Sequence, residues 1–305
     1  YPNGEGYATE GDLDWWDGTA RRTLTTLNPV YPPDSENVDC GIRSSAVARV
    51  GDTAYVLMGQ RCEQTNQNNW RLISVPMAGG ELTEIVFDTP AGGFFSDMFT
   101  TNMIPAKDGS GFLITMPSGL RRNTVNLQWV TTAGAITPLL QDQHIQADQY
   151  GSRLLESRHL RVSLDGSSLA FVTTTGDDVQ SLYLLDLTTP GSTPVLVDEQ
   201  GKDQRIFQYL WASNNTLFYA AGSIESSSLS MVRPGGTSQR LERGRFYRLA
   251  VSYAGDKIAA SEFYDNPNRI GDDNYQLHVL NTSGISFIMR LGDDTDNEFI
   301  PMVIQ

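Results

Sequence analysis

The 305-residue chain is short of cysteine, lysine and histidine, and each shortage closes off a class of function. Its cysteines are Cys40 and Cys62. Two cysteines cannot build a disulfide scaffold, and they lack the paired spacing of a zinc site. They are read as one loop-tying disulfide, with two unrelated thiols as the alternative. Lysine occurs only at Lys107, Lys202 and Lys257, so arginine supplies most of the 22 positive charges set against 36 acidic residues. The net charge of -14 would repel a phosphate backbone, and nucleic acid is not expected as a partner. No apolar run approaches the ~20 residues of a spanning helix. With a mean hydropathy of -0.30, no membrane span is predicted. Missing too are a Gly-x-Ser-x-Gly nucleophile elbow, His-Glu-x-x-His, and the glycine-rich loops that hold nucleotides.

The chain is rich instead in short runs of β-branched, aromatic and aliphatic residues bounded by turn formers, which is the signature of strands. The clearest unit runs from Arg158 to Glu199. A first strand ends at Ser163, the turn Leu164-Asp165-Gly166 follows, and strands are expected over Ser168 to Thr173, Ser181 to Leu187 and Pro194 to Val197. The third strand of each unit carries a leucine, and Leu13, Leu72, Leu127, Leu182, Leu229 and Leu277 recur at intervals of 47 to 59 residues. That period predicts an all-β, six-bladed β-propeller of four-stranded antiparallel blades in a single domain over 1–305. The blades are expected at 1–29 plus 299–305, then at about 42–88, 97–141, 157–199, 205–242 and 245–292. Phe299 to Gln305 reads as a first strand cut at its turn, and Tyr1 to Gly4 as that turn. The C-terminal strand should then join three N-terminal strands and close the ring, which removes free sheet edges.

Ser163-Leu164-Asp165-Gly166 followed by Leu169-Ala170-Phe171 and by Leu182 to Leu187 resembles the repeats of TolB-like six-bladed propellers. Ser252 to Asp256 with Ile258-Ala259-Ala260 is a second copy, while Ala212 to Asn215 and Val50 to Asp52 keep only part of the pattern. The resemblance implies a propeller over nearly the whole chain and a non-catalytic interaction module. Propellers of this kind also serve as peptidase lids and as lyases, so function does not follow from the repeat.

Arginine at the blade entrances is the least ordinary feature. Arg43, Arg158, Arg161, Arg205, Arg245 and Arg248 lie at or just before first strands, which line a propeller's axis. A guanidinium grips a carboxylate with two parallel hydrogen bonds. The candidate binding set is Arg158, His159, Arg161, Arg245 and Arg248. Asp39, Glu156, Asp203 and Glu242 stand nearby, so inter-blade ion pairing is the competing reading. His144 is read as a loop residue and His278 as a packed one. Trp15 and Trp16, at first sight a sugar-stacking platform, fall on a third strand and are read as packing residues. The acidic stretches Asp265 to Asn274 and Asp293 to Glu298 are oxygen-rich enough for Ca²⁺ but lack a regular ligand spacing, so they are read as solvated turns and no cofactor is assigned. The chain starts at Tyr1 rather than methionine, which fits a removed leader or a trimmed end, and a periplasmic or extracellular location is expected. Three functions stay open. One is an exported, non-catalytic propeller binding a protein segment or small anion at its channel mouth. The others are a polysaccharide lyase or glycoside hydrolase at that mouth, and a structural subunit of an extracellular assembly.

Overall fold

The computed structural model describes residues 11–16, 19–27, 40–62, 67–85, 102–117, 124–144, 160–174, 179–223, 225–265, 273–281 and 286–290. All regular elements among them are β-strands. The chain divides into two compact units, Tyr1–Ser157 with Thr188–Gly191, and Arg158–Leu187 with Ser192–Gln305.

In the first unit, β1 (Gly11–Trp16) pairs with β2 (Arg21–Leu27). A four-stranded antiparallel sheet follows, of β3 (Cys40–Val50), β4 (Thr53–Cys62), β5 (Gln67–Pro76) and β6 (Thr83–Ile85), in that order. Next come β7 (Asn102–Pro105), β8 (Gly111–Pro117), β9 (Thr124–Thr131) and β10 (Ile136–His144), again paired in sequence. Leu13, Leu24 and Leu27 pack on Val56, Met58, Ile73 and Val75, and Leu57 and Leu72 on Phe112, Ile114 and Val130.

The second unit repeats the arrangement. Its strands are β11 (Arg161–Val162), β12 (Ser168–Thr174), β13 (Gln180–Asp186) and β14 (Val195–Gln200), then β15 (Arg205–Trp211), β16 (Leu217–Gly222), β17 (Ser227–Val232) and β18 (Gln239–Gly244). Last are β19 (Phe246–Val251), β20 (Lys257–Asp265), β21 (Asp273–Asn281) and β22 (Ser286–Arg290). Each set of four pairs antiparallel in chain order. Strands β12 and β16 are buried along their whole length. A strand covered on both faces cannot alternate with polar residues, which is why Leu169-Ala170-Phe171-Val172 and Leu217-Phe218-Tyr219-Ala220 read as continuous apolar runs. Phe218, Ala220 and Leu229 of one sheet meet Phe246, Leu249, Ile258, Ala260 and Leu280 of the next.

The recurring leucines take their expected places. Leu13, Leu72, Leu127, Leu182, Leu229 and Leu277 lie on β1, β5, β9, β13, β17 and β21, and all but Leu277 are buried. Burying one such side chain contributes about 2 kcal/mol, more than an exposed ion pair of at most about 1 kcal/mol. The all-β, antiparallel, four-stranded expectation is therefore met. The closure of residues 299–305 onto the N-terminal segment lies outside the described residues.

The link between first and second strands is the best-defined local structure. At Ser163 the Asp165 carboxylate accepts from Ser163 Oγ at 2.7 Å and from the Ser167 backbone N–H at 3.0 Å. Ser163 Oγ in turn accepts from the Ser168 N–H at 2.9 Å. Ser252 makes the same pair of bonds, to Asp256 at 2.8 Å and from the Lys257 N–H at 3.0 Å. Each turn needs one residue at positive φ, supplied by Gly166 at 72° and Gly255 at 71°. The imperfect copy at Ala212 puts Asn215 there, at φ 59°. Asparagine tolerates the left-handed region better than most residues, so the repeat survives its altered sequence.

One expectation changes. The chain between Cys40 and Cys62 is not a loop but the two long strands β3 and β4, and their register sets Cys40 directly opposite Cys62.

Candidate functional site: the inner strands of the second unit

The first strand of each sheet in the second unit hands its backbone groups to its neighbour. Gln180 Oε1 accepts from the Ile206 N–H at 2.8 Å, and Gln208 Oε1 from the Leu249 N–H at 2.8 Å. Trp211 Nε1 donates to the Arg161 carbonyl at 2.6 Å. At the turns, the Ser213 N–H donates to the Tyr253 carbonyl at 2.9 Å, and Asn215 Nδ2 to Ser167 Oγ at 3.0 Å. The three first strands and their turns thus form one laterally bonded series.

The predicted binding residues take different positions in that series. Arg158 and His159 lie outside the described residues. Arg161 is exposed on β11, two residues before its turn, and makes no ion pair with a described residue. Its charge is felt by Tyr209: burial pushes that hydroxyl well up, and Arg161 and a hydrogen bond with the Val172 backbone partly offset the rise. Arg248 is half-buried on β19, four residues before Ser252, one same-face step of about 7 Å further from its own turn than Arg161 is from Ser163. Arg245 is half-buried between β18 and β19. Arg245 and Arg248 each have an interaction partner within the protein. Among the described residues, Arg161 is the member of the set whose guanidinium faces water without an ion pair.

Other sequence candidates resolve differently. Trp15 is half-buried beside Leu13 and Val56, with the Arg49 guanidinium 5.2 Å from its ring centre, so it packs rather than presents an open stacking face. His144, read as a loop residue, is instead the last residue of β10, opposite Thr124; its side chain, that of Trp16 and most of the two acidic stretches lie outside the described residues. Among the described residues, no group of three or more His, Cys, Asp or Glu side chains is arranged to hold a metal ion.

His278 is buried, as expected for a packed strand residue, but its partner was missed. Its Nε2 lies 2.6 Å from Glu262 Oε2, with the two side chains 8% and 15% exposed. Neither ring nitrogen has an aligned hydrogen-bond partner, so the contact is a close approach rather than an aligned hydrogen bond. Gln276 also donates to Glu262, and the Phe246 ring stands edge-on to His278 at 5.1 Å. Gly244 makes room for the carboxylate, since a Cβ there would sit 2.5 Å from Glu262 Oε1. Burial pushes the Glu262 carboxyl up, but His278, Gln276 and the Arg245 backbone N–H outweigh it and hold it below the ordinary glutamate value. So enclosed, this pair is a polar lock between neighbouring strands of one sheet rather than a group that reaches substrate. The sequence clue was a glutamate inside the apolar run of β20, two residues out of line with a histidine on β21.

Among solved structures, the chain is similar to the β-propeller domain of the Trilobed protease from Pyrococcus furiosus, described as having an open velcro topology, at 10% identity over 83% of this chain and 73% of that one, with a TM-score of 0.43. It is similar to TolB from Acinetobacter baumannii at 13% identity, over 81% of this chain and 68% of that one, with a TM-score of 0.36. It is also similar to puromycin hydrolase, at 15% identity and a TM-score of 0.42, covering 91% of this chain but only 41% of that one. The resemblance to TolB and other β-propellers is one of fold, at low identity. No family model and no curated protein matches the chain.

The lock has a pH signature. The folded state binds the Glu262 proton more weakly than the unfolded state does, so this group's contribution is complete above the ordinary carboxyl value of 4.5 and is lost as the pH falls through the lower folded value. The stability difference between the wild type and Glu262→Gln, measured by denaturant unfolding, is expected to be constant above about pH 6 and to shrink toward about pH 3. A difference that grows on acidification would contradict the assignment.

Proposed function

We propose that the protein is an exported, non-catalytic binding module that takes a carboxylate-bearing small ligand or protein segment at the inner strands of a closed six-bladed ring. The observation that supports this is Arg161: an exposed guanidinium on a first strand, in a chain of net charge -14, with no ion pair among the described residues. Cations in acidic proteins are usually neutralised by their neighbours, and a bare arginine beside a rigid backbone is a ready anion site. Arg158 and His159 precede it in the sequence and would extend the site.

Glutarate, a plain dicarboxylate, is the test ligand. Saturable binding is expected by NMR titration, weakening with salt, and Arg161→Gln is expected to weaken it roughly tenfold, the equivalent of one charge-assisted hydrogen bond. The exposed position predicts little change in Tm. Undiminished binding by Arg161→Gln, or a large loss of Tm in place of lost binding, would sink the reading.

Export carries its own check. Directly opposed residues of antiparallel strands lie about 4.5 to 5.5 Å apart at Cα, within the span of a disulfide. Cys40 and Cys62 are such a pair, and the proposed bond would contribute about 3 kcal/mol in the chain-entropy account. Mass spectrometry after alkylation without reductant should find neither cysteine alkylated; two alkylated cysteines would remove this support.

A further inference from the structure

The laterally bonded turns of the second unit carry a pattern of exposed apolar residues that the fold does not explain. The second residue of each turn is Leu164, Ser213 and Tyr253 in succession. Leu164 is 59% and Tyr253 72% exposed, and Val162 beside Arg161 is 38% exposed. The small Ser213 lies between the two large ones, bonded to one side through the Tyr253 carbonyl. Asn215 of the same turn bonds the other side through Ser167. The half-buried Trp211 indole reaches across from β15 to the Arg161 backbone. Two apolar prominences therefore flank a low polar turn, with an aromatic ring and a bare cation at one end.

The charges along this edge are unequal in their freedom. Asp165 is saturated by the Ser163 and Ser167 hydroxyls and the Ser167 N–H. Asp256 accepts from Ser252 and stands beside Lys257. Arg161 has no such partner among the described residues. An occupant would need apolar surface to cover Leu164 and Tyr253 and one negative group to meet Arg161. A polyacidic chain would be repelled by a body of net charge -14, so a single carboxylate is favoured.

We propose that the turn edge formed by Arg161, Val162, Leu164, Trp211 and Tyr253 is a docking surface for a peptide segment that carries apolar side chains next to one carboxylate. This rests on reading Arg161 as a carboxylate site and adds to it what the rest of the ligand must be. Covering the exposed leucine and tyrosine would supply the apolar part of the affinity, and the arginine would set direction along the edge.

The test uses three capped peptides, acetyl-Phe-Leu-Glu-amide, acetyl-Phe-Leu-Gln-amide and acetyl-Gly-Gly-Glu-amide, titrated into ¹⁵N-labelled protein. Saturable shifts are expected for amides of residues 161–168, 211–216 and 252–257. The Phe-Leu-Glu peptide should bind roughly tenfold tighter than either control. Arg161→Gln should abolish the preference for Glu over Gln. The double variant Leu164→Ser, Tyr253→Ser should abolish the preference for Phe-Leu over Gly-Gly while still binding Gly-Gly-Glu, and its substitutions are at exposed positions that leave the core intact. Equal binding of Gly-Gly-Glu and Phe-Leu-Glu by the wild type would overturn the docking surface and leave the Arg161 reading standing. Absence of binding by all three peptides, together with no binding of glutarate, would overturn both. Co-sedimentation with phosphatidylcholine vesicles that the double variant loses would assign the edge to lipid and overturn the peptide proposal.

Discussion

The second unit depends on one constraint: a first strand has no partner on its inner side, so its backbone groups must be satisfied by a neighbouring sheet. Unpaired buried N–H groups are costly, on the order of 1 to 3 kcal/mol each. Here the partners are side-chain amides. Gln180 serves Ile206 and Gln208 serves Leu249, while the turns bond to one another directly. Apolar packing between sheets supplies most of the stability, but it is non-directional and would tolerate sliding. The amide and turn bonds fix the height of one strand against the next.

A fixed height makes an edge useful for recognition. Residues on turns that are bonded to each other keep their spacing, so a ligand meeting Arg161, Leu164 and Tyr253 would not have to order them first. Pre-organisation of this kind lowers the entropic cost of binding. The Glu262 and His278 lock acts at the other end of β20, where the strand leaves the turns. There the Gly244 position lacks a side chain so that the carboxylate can sit under the chain entering β19. Breaking this pair would leave a charge in an enclosed site, which is why it belongs to the scaffold rather than to the chemistry.

Much of this scaffold was legible in the amino-acid sequence. The second strands stand out because a strand buried on both faces is mostly apolar, the third strands because each puts a leucine at the same place, and the turns because serine, aspartate and glycine each answer a separate demand of that geometry. Asn215 shows the limit of pattern matching: the motif breaks in sequence while the φ it serves is kept. What could not be read depends on register. Gln180, Gln208 and Glu262 look in sequence like solvent-facing strand residues; only the contact between sheets reveals the N–H that each glutamine meets, and only the register of β20 against β21 the imidazole beside Glu262. The relation of Cys40 to Cys62 is likewise a matter of register, since nothing in the spacing says that the intervening residues fold back in pairs with one shift of register between Ile42 and Ser44. The arginines were recognised as unusual, yet their heights along the strands and the engagement of Arg245 and Arg248 needed the structure.

The most direct measurement of the account is native-state hydrogen exchange at the bonds that cross between sheets. The amides of Ile206, Leu249 and Ser213 are held by Gln180, Gln208 and the Tyr253 carbonyl. If the lateral bonds fix the sheets, these three should exchange as slowly as Phe171 and Phe218 in the buried middle strands, through the same global opening, and Gln208→Ala should speed Leu249 selectively. Exchange at the rate of a loop, with the middle strands still protected, would mean that packing alone holds the sheets and that the turn edge is not a rigid surface.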